Sequence, residues 1–141
     1  FKLSTGNYVA PQLVENIMKE SPFIEQIIVL GENEWFCSAL ISPNYEHLCN
    51  WANIKEIEYS SNLDLIKKEE VVNKFQEEID ELNYDVDNVM TVKKFSLCLK
   101  EWAPDTGELT PTLKLKREFI TEKYKGKIDY IYGYREEDVF L

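Results

Sequence analysis

The sequence predicts an α+β domain: a small mixed or antiparallel sheet, opened by an N-terminal β-hairpin and packed by about three to four helices. Three observations predict it. Two short extended pieces flank Ser4-Thr5-Gly6-Asn7, two apolar runs, the first of them β-branched, flank Gly31-Glu32-Asn33-Glu34, and a helical stripe of Val71, Val72, Phe75, Ile79 and Leu82 follows. The length of 141 residues fits one domain spanning residues 1–141.

The elements follow in order. Gly6 and Asn7 tolerate positive φ, so Phe1 to Val9 reads as a hairpin with a tight turn. Pro11 suits a first helical turn, Leu13, Val14, Ile17 and Met18 keep helical spacing, and Ser21-Pro22 ends the helix. Glu15 lies near the helix start, where the macrodipole favours an acid. Phe23 to Leu30 and Trp35 to Ile41 read as paired strands, apolar enough for burial on both faces. Pro43-Asn44 leads into a short helix with Tyr45, Leu48, Cys49 and Ala52 on one side.

Residues 53 to 68 read as a polar loop holding at most a helical turn. From Glu69 the amphipathic stripe marks a helix that Asn83-Tyr84-Asp85 closes, with Glu77, Glu78, Asp80 and Glu81 on its outer face. Alternation of Phe95, Leu97 and Leu99 marks a strand over Val92 to Leu99. A turn-rich loop runs from Glu101 to Thr110, a last helix runs from Lys116 or Arg117 to Tyr124, and Tyr130, Tyr132 and Tyr134 fall in a tail.

Charge narrows the partners. Sixteen Lys and Arg against 26 Asp and Glu give a net charge of -10. Nucleic-acid binding depends on neutralising phosphates, so nucleic acid is excluded as a partner on charge. Attraction to anionic lipid by charge alone is excluded for the same reason. Cys37, Cys49 and Cys98 are widely spaced and His47 is the only histidine. That count predicts no metal site and no disulfide framework, and it suits buried thiols in a reducing, cytoplasmic setting. Phe1-Lys2-Leu3 carries no initiator Met, which suggests a domain cut from a longer chain.

Candidate chemistry is sparse. His47 has no orienting partner in sequence and reads as a solvated surface histidine. Two loops stand out: Lys2 to Pro11, and Glu101 to Arg117. If Leu113 to Lys116 is extended, Lys114 and Lys116 project from one side while Leu113 and Leu115 are buried on the other. Such an edge can hold an anion, although composition alone favours solvated lysines on a plain amphipathic edge.

Both loops resemble landmarks of the small C-terminal domain of adenylate-forming enzymes, the superfamily of acyl-CoA synthetases, peptide-synthetase adenylation domains and firefly luciferase. Lys2, Gly6, Val9, Pro11, Val14 and Glu15 resemble the segment that follows the family's hinge. Lys114-Leu115-Lys116-Arg117 resembles the segment with the family's catalytic lysine, usually written P-x-T-x-S-G-K-I-x-R. The run from Glu101 through Thr110-Pro111-Thr112 to Arg117 is similar to the long-chain fatty acid–CoA ligase branch.

The resemblance implies a lid on a larger N-terminal adenylation domain that is absent from this chain. It implies that the parent enzyme uses ATP with Mg²⁺ to convert a fatty acid to acyl-AMP, then passes the acyl group to CoA. Lys114 takes the catalytic position, with Trp102, Thr112 and Arg117 supporting it. Lys2, Gly6, Asn7 and Tyr8 take the CoA passage after the lid rotates. Metal binding falls to the absent domain, and the isolated lid is expected to be inactive. The parent is expected in the cytoplasm, with peripheral membrane association left open.

The chain departs from the family pattern in two places. Thr112-Leu113 replaces the small Ser-Gly pair, and Lys116 offers a second amine two residues after Lys114. A stand-alone acidic interaction domain without catalysis is the alternative.

Overall fold

The computed structural model describes residues 1–141. Strands β1 (Ile24–Leu30), β2 (Cys37–Pro43) and β3 (Val92–Leu97) form one mixed sheet in the order β1-β2-β3. β1 and β2 are antiparallel, with Ile27 opposite Ile41 and Val29 opposite Ala39. β3 runs parallel to β2, with Ala39 beside Phe95 and Ile41 beside Leu97. The helices are α1 (Pro11–Met18), α2 (Tyr45–Ile54), α3 (Asn62–Lys67), α4 (Glu69–Asn83), α5 (Arg117–Lys123) and α6 (Lys125–Ile131). The α+β class and the mixed sheet agree with the sequence, but six helices exceed the three to four expected.

Alternation along the strands divides the core in two. Ile27, Val29, Ala39, Ile41 and Leu97 join Val14, Met18, Leu48, Phe75 and Ile79 in a cluster of 23 buried residues beneath α1 to α4. Ile28 and Leu40 point the other way, into a cluster of eight with Cys98, Trp102, Leu109, Ile120, Tyr124 and Ile131. Burial on both faces explains the near-continuous apolar run of β1 and β2. Ser38 and Ser42, buried in β2, have partners from this second layer. Ser38 Oγ donates to Tyr132 Oη at 2.8 Å, and Ser42 Oγ accepts from the backbone N–H of Trp102 at 3.3 Å.

Two of the six helices start on a side-chain cap. Asn44 caps α2 by accepting the His47 N–H at 3.1 Å, and Ser61 caps α3 by accepting from Asp64 N–H. All three cysteines are free thiols; burial pushes Cys37 up to about 11 and Cys98 up to about 12, so both stay protonated at neutral pH.

Several expectations need correction. Trp35 is 74% exposed in the turn, and β2 begins only at Cys37. His47 is half-buried with its ring edge-on to Phe23 at 4.5 Å, so it is packed rather than solvated. The stretch 53 to 68 contains α3, whose Leu65 and Ile66 enter the core. Glu78 is half-buried on α4 and accepts the Ser21 hydroxyl at 2.8 Å.

The supposed tail is structured. α6 places Ile131 in the second core, and Lys127, completely buried, donates to Asp138 at 3.1 Å and to the Val139 carbonyl at 2.9 Å. Asp138 also accepts the Ser96 hydroxyl at 2.7 Å. The last residues therefore fold back toward β3, and the Leu141 carbonyl accepts the Leu99 N–H just beyond its end.

Candidate functional site

Lys114 sits on a tight hairpin. Leu109 bridges Leu115 across it, and Thr110 N–H donates to the Lys114 carbonyl at 2.8 Å. Leu113 N–H donates to the Thr110 carbonyl at 2.8 Å, and Lys114 N–H donates to Thr110 Oγ1 at 3.1 Å. The chain turns at Leu113, whose φ of +66° lies in the left-handed region. This is the position where the resembled motif carries glycine, and a Cβ there costs about 1–2 kcal/mol.

The extended reading of Leu113 to Lys116 is thereby corrected. Leu113 is 58% exposed at the turn and only Leu115 packs toward the second core. A two-residue alternation fails because the left-handed residue reverses the chain between Leu113 and Leu115. The two lysines also differ. Lys116 places its ammonium 5.6 Å from the centroid of the Phe119 ring, while Lys114 is exposed, makes no ion pair and borders an open groove of about 450 Å³ with Gln12 and Asn16 of α1 and Lys19 just after it.

The base of this hairpin is fixed at three points. Arg117, at the start of α5, forms a fork with Glu15 of α1; Nη1 donates to Oε2 at 3.0 Å and Nη2 donates to Oε1. Glu15 is 5% exposed and also accepts the Val29 N–H at 2.8 Å. Its role is thus a buried tether between α1, β1 and α5; as the fifth residue of α1 it lies past the first turn, so the expected dipole stabilisation does not account for it. A bidentate guanidinium–carboxylate pair fixes orientation as well as distance.

The second point is Glu108, 1% exposed, which accepts from Lys123 Nζ at 2.6 Å, Tyr124 Oη at 3.0 Å and the Thr106 hydroxyl. Burial alone would raise this carboxyl, but the bonds from Lys123, Thr106 and Tyr124 prevail and hold it below the usual carboxylate range. The third point is Gly107, at φ +96°, whose missing side chain leaves room for the Phe119 ring.

The other predicted residues divide between the two loops. Trp102 is buried, with its ring centroid 5.9 Å from that of Tyr124, so it lies beneath the hairpin. Thr112 is exposed at the turn, its Oγ1 3.1 Å from Thr110 Oγ1. Lys2, Gly6, Asn7 and Tyr8 are all exposed on the N-terminal hairpin, which the Lys2–Tyr8 bridge closes. Buried Leu3 and Val9 anchor it, and Ser4 N–H reaches the Glu34 carbonyl at 2.9 Å. Gly6 has φ +92° with open space around it. A side chain there strains the backbone but meets no neighbour within the domain.

The structure thus links the two sequence motifs through Glu15 of α1 and Arg117 of α5, each the last charged residue of its motif. Sequence reasoning missed this pair, because no local periodicity joins residues 102 positions apart, and it gave Glu108 no role, because its donors Lys123 and Tyr124 come from a helix end 15 and 16 residues on. No group of three His, Cys, Asp or Glu side chains is arranged to hold a metal ion. The residues present therefore do not fit Mg²⁺, and no step is assigned to a metal bound here.

This architecture is that of a known class of domain. The fold superposes with a TM-score of 0.75 on a carboxylic acid reductase didomain from Segniliparus rugosus solved with AMP, at 19% identity over 95% of this chain and 17% of that one. It superposes with a TM-score of 0.74 on the adenylation domain of a carboxylate reductase from Mycobacterium chelonae, at 20% identity over 94% of this chain and 19% of that one. Residues 1–136 match the AMP-binding enzyme C-terminal domain, and the chain belongs to that family.

Among curated relatives, the chain is 30% identical to long-chain-fatty-acid–CoA ligase FadD15 of Mycobacterium tuberculosis, over 91% of its own length and 22% of the ligase. It is 33% identical to human long-chain-fatty-acid–CoA ligase 1, over 94% of its own length and 19% of that enzyme. The chain thus spans about a fifth of the length of these relatives.

Proposed function

We propose that this chain is the C-terminal lid of a long-chain fatty acid–CoA ligase, acting with an N-terminal adenylation domain. The observation that carries the reading is Lys114: an exposed, unpaired ammonium on a hairpin whose base is tied to α1, α5 and the second core. Family membership and the ligase relatives support this over a self-standing interaction domain. In this reading the parent enzyme uses Mg²⁺-dependent ATP, a fatty acid and CoA, and the metal is held by the adenylation domain. The three free thiols suit a cytoplasmic enzyme.

In the first half-reaction the fatty carboxylate attacks the α-phosphate and pyrophosphate leaves. Negative charge gathers on the oxygens between the two groups. Lys114 bridges those oxygens and neutralises the charge as it develops. Lys116 is drawn to the Phe119 ring and is less free to do so. The lid then rotates as a rigid body, withdrawing Lys114 and presenting the Lys2–Tyr8 hairpin to the CoA passage. CoA thiol attacks the acyl carbonyl and AMP leaves.

Lys2 and Tyr8 suit that second role as a pair: the ammonium lies 5.8 Å from the ring centroid, and both face outward. Gly6 and Asn7 form the turn between them, with Asn7 Nδ2 held on Thr5 Oγ1 at 3.1 Å.

The isolated 141-residue chain is expected to release no pyrophosphate from ATP, Mg²⁺, CoA and palmitate above the blank, since it has no acyl pocket. Acyl-CoA formation by this chain alone would overturn the lid reading.

In the full-length enzyme, Gly6→Leu is expected to slow thioester formation while leaving adenylation nearly intact. The φ of +92° means that any side chain at Gly6 costs about 1–2 kcal/mol of stability. Gly6→Ala carries the same backbone strain with little bulk, so it isolates obstruction of the passage from strain. The checks are acyl-CoA release from preformed acyl-adenylate, pyrophosphate exchange and thermal melts. Equal slowing by Gly6→Ala and Gly6→Leu, or equal loss in both half-reactions, counts against the passage role.

A further inference from the structure

The geometry points to Glu108 as a positioning residue for Lys114, a carboxylate that acts on adenylation by fixing the hairpin that carries the lysine. The inference rests on the Lys114 reading above and goes beyond it, because Glu108 touches neither Lys114 nor the open groove.

Glu108 holds the hairpin from both directions. It stands directly before Leu109, where the hairpin begins, and its backbone carbonyl accepts the Lys116 N–H at 2.8 Å, where the hairpin ends. Its side chain is buried beside the second core and takes three donors: Thr106 two residues before it, and the adjacent Lys123 and Tyr124 at the junction of α5 and α6. A buried carboxylate that satisfies three donors has essentially one position, since moving it leaves a charge or a donor unpaired. The entry and exit of the turn are therefore referred to a single buried point.

The surroundings reinforce that point. Tyr124 is 1% exposed and packs against Trp102. Lys123 reaches over the Phe119 ring at 5.8 Å, and the same ring fills the space above Gly107 and receives Lys116 at 5.6 Å. Arg117 on Glu15 holds the far side of the hairpin base.

This matters for chemistry because of what Lys114 is. Its side chain is long and flexible, so the only part the protein can place is the backbone from which it starts. Electrostatic stabilisation of a transition state requires the charge to be in place before the reaction, and a misplacement of about 1 Å costs on the order of 10²-fold in rate. An exposed turn with a left-handed Leu113 at its apex would drift without a rigid base. Glu108 supplies that base from within the core. Its effect is specific to the half-reaction in which Lys114 works, because thioester formation uses the other hairpin.

The test uses the full-length ligase. Glu108→Gln keeps the shape and removes the charge that Lys123 balances; Tyr124→Phe keeps the ring and removes one hydrogen bond. Pyrophosphate exchange reads adenylation, acyl-CoA release from preformed acyl-adenylate reads the second step, and a thermal melt reports folding. Glu108→Gln is expected to lower adenylation by about 10–100-fold, with thioester formation changed less than about twofold. Tyr124→Phe is expected to show the same selectivity with a smaller loss, and it decides the matter if Glu108→Gln does not fold. In a Lys114→Ala background, Glu108→Gln is expected to add no further loss of adenylation, because residues that act as one unit are not additive.

Equal losses in both half-reactions would reduce Glu108 to a stability residue and overturn the inference. So would a full additional loss in the Lys114→Ala background, or unchanged adenylation in a folded Glu108→Gln enzyme. Failure of the underlying reading looks different: Lys114→Ala alone would leave adenylation intact, and that would overturn both.

Discussion

Lys114→Ala in the full-length ligase is expected to lower acyl-adenylate formation by on the order of 10²–10³, the usual loss when one preorganised charge is removed from a developing oxyanion. Thioester formation from supplied acyl-adenylate is expected to survive, since Lys114 has left the site by then. Lys116→Ala is expected to act weakly: its ammonium is 5.6 Å from the Phe119 ring centroid, and its backbone N–H, which an alanine retains, makes the bond to Glu108. Thermal melts should hardly move with Lys114→Ala, because the side chain is exposed and pairs with nothing in the domain. Pyrophosphate exchange and acyl transfer, measured separately, check the split. If Lys116→Ala carries the adenylation defect and Lys114→Ala does not, the assignment passes two residues along the chain.

Asp138→Ala is expected to be the most damaging change to stability. It leaves Lys127, which has no exposed side-chain surface, without its only ion-pair partner. Breaking a buried pair from one side costs about 3–5 kcal/mol. For a domain of this size that lowers the melting temperature by roughly 10 °C or more. The double variant Lys127→Met with Asp138→Ala should regain much of the loss, because no buried charge is then stranded. Denaturant melts of the 141-residue chain provide the measurement. A change of under about 0.5 kcal/mol for Asp138→Ala, the range of an ordinary surface substitution, would mean that water already reaches Lys127.

The same pair shows why the C-terminal region was misread. A helix with lysine at a fully buried position, next to Gly126 and a run of tyrosines, has no apolar stripe that sequence can detect. Its burial becomes acceptable only once Asp138 folds back onto it. Strands β1 and β2 were legible because apolar runs buried on both faces keep their character in any register. Helix α4 was legible because one face of it meets the core at helical spacing. Helix α3 was hidden because only Leu65 and Ile66 of its six residues are buried, too few to make a periodic signal.

The candidate site divides in the same way. Lys114, Arg117, Gly6 and the two loops around them could be named from residue types and spacing, through their resemblance to a family. The hairpin that bears Lys114 could not, because its turn is made by a leucine at φ +66° where propensity calls for glycine. Sequence alone determined the fold class, the central hairpin and the acidic net charge, which rest on interactions within a few residues or on bulk composition; the candidate lysine came from the resemblance to a family. Only the tertiary structure decided that Glu15 grips Arg117, that Glu108 anchors the hairpin from within the core, and that Lys127 finds Asp138. These are buried charges, and a buried charge is tolerated only where a partner from elsewhere in the chain arrives at hydrogen-bond distance.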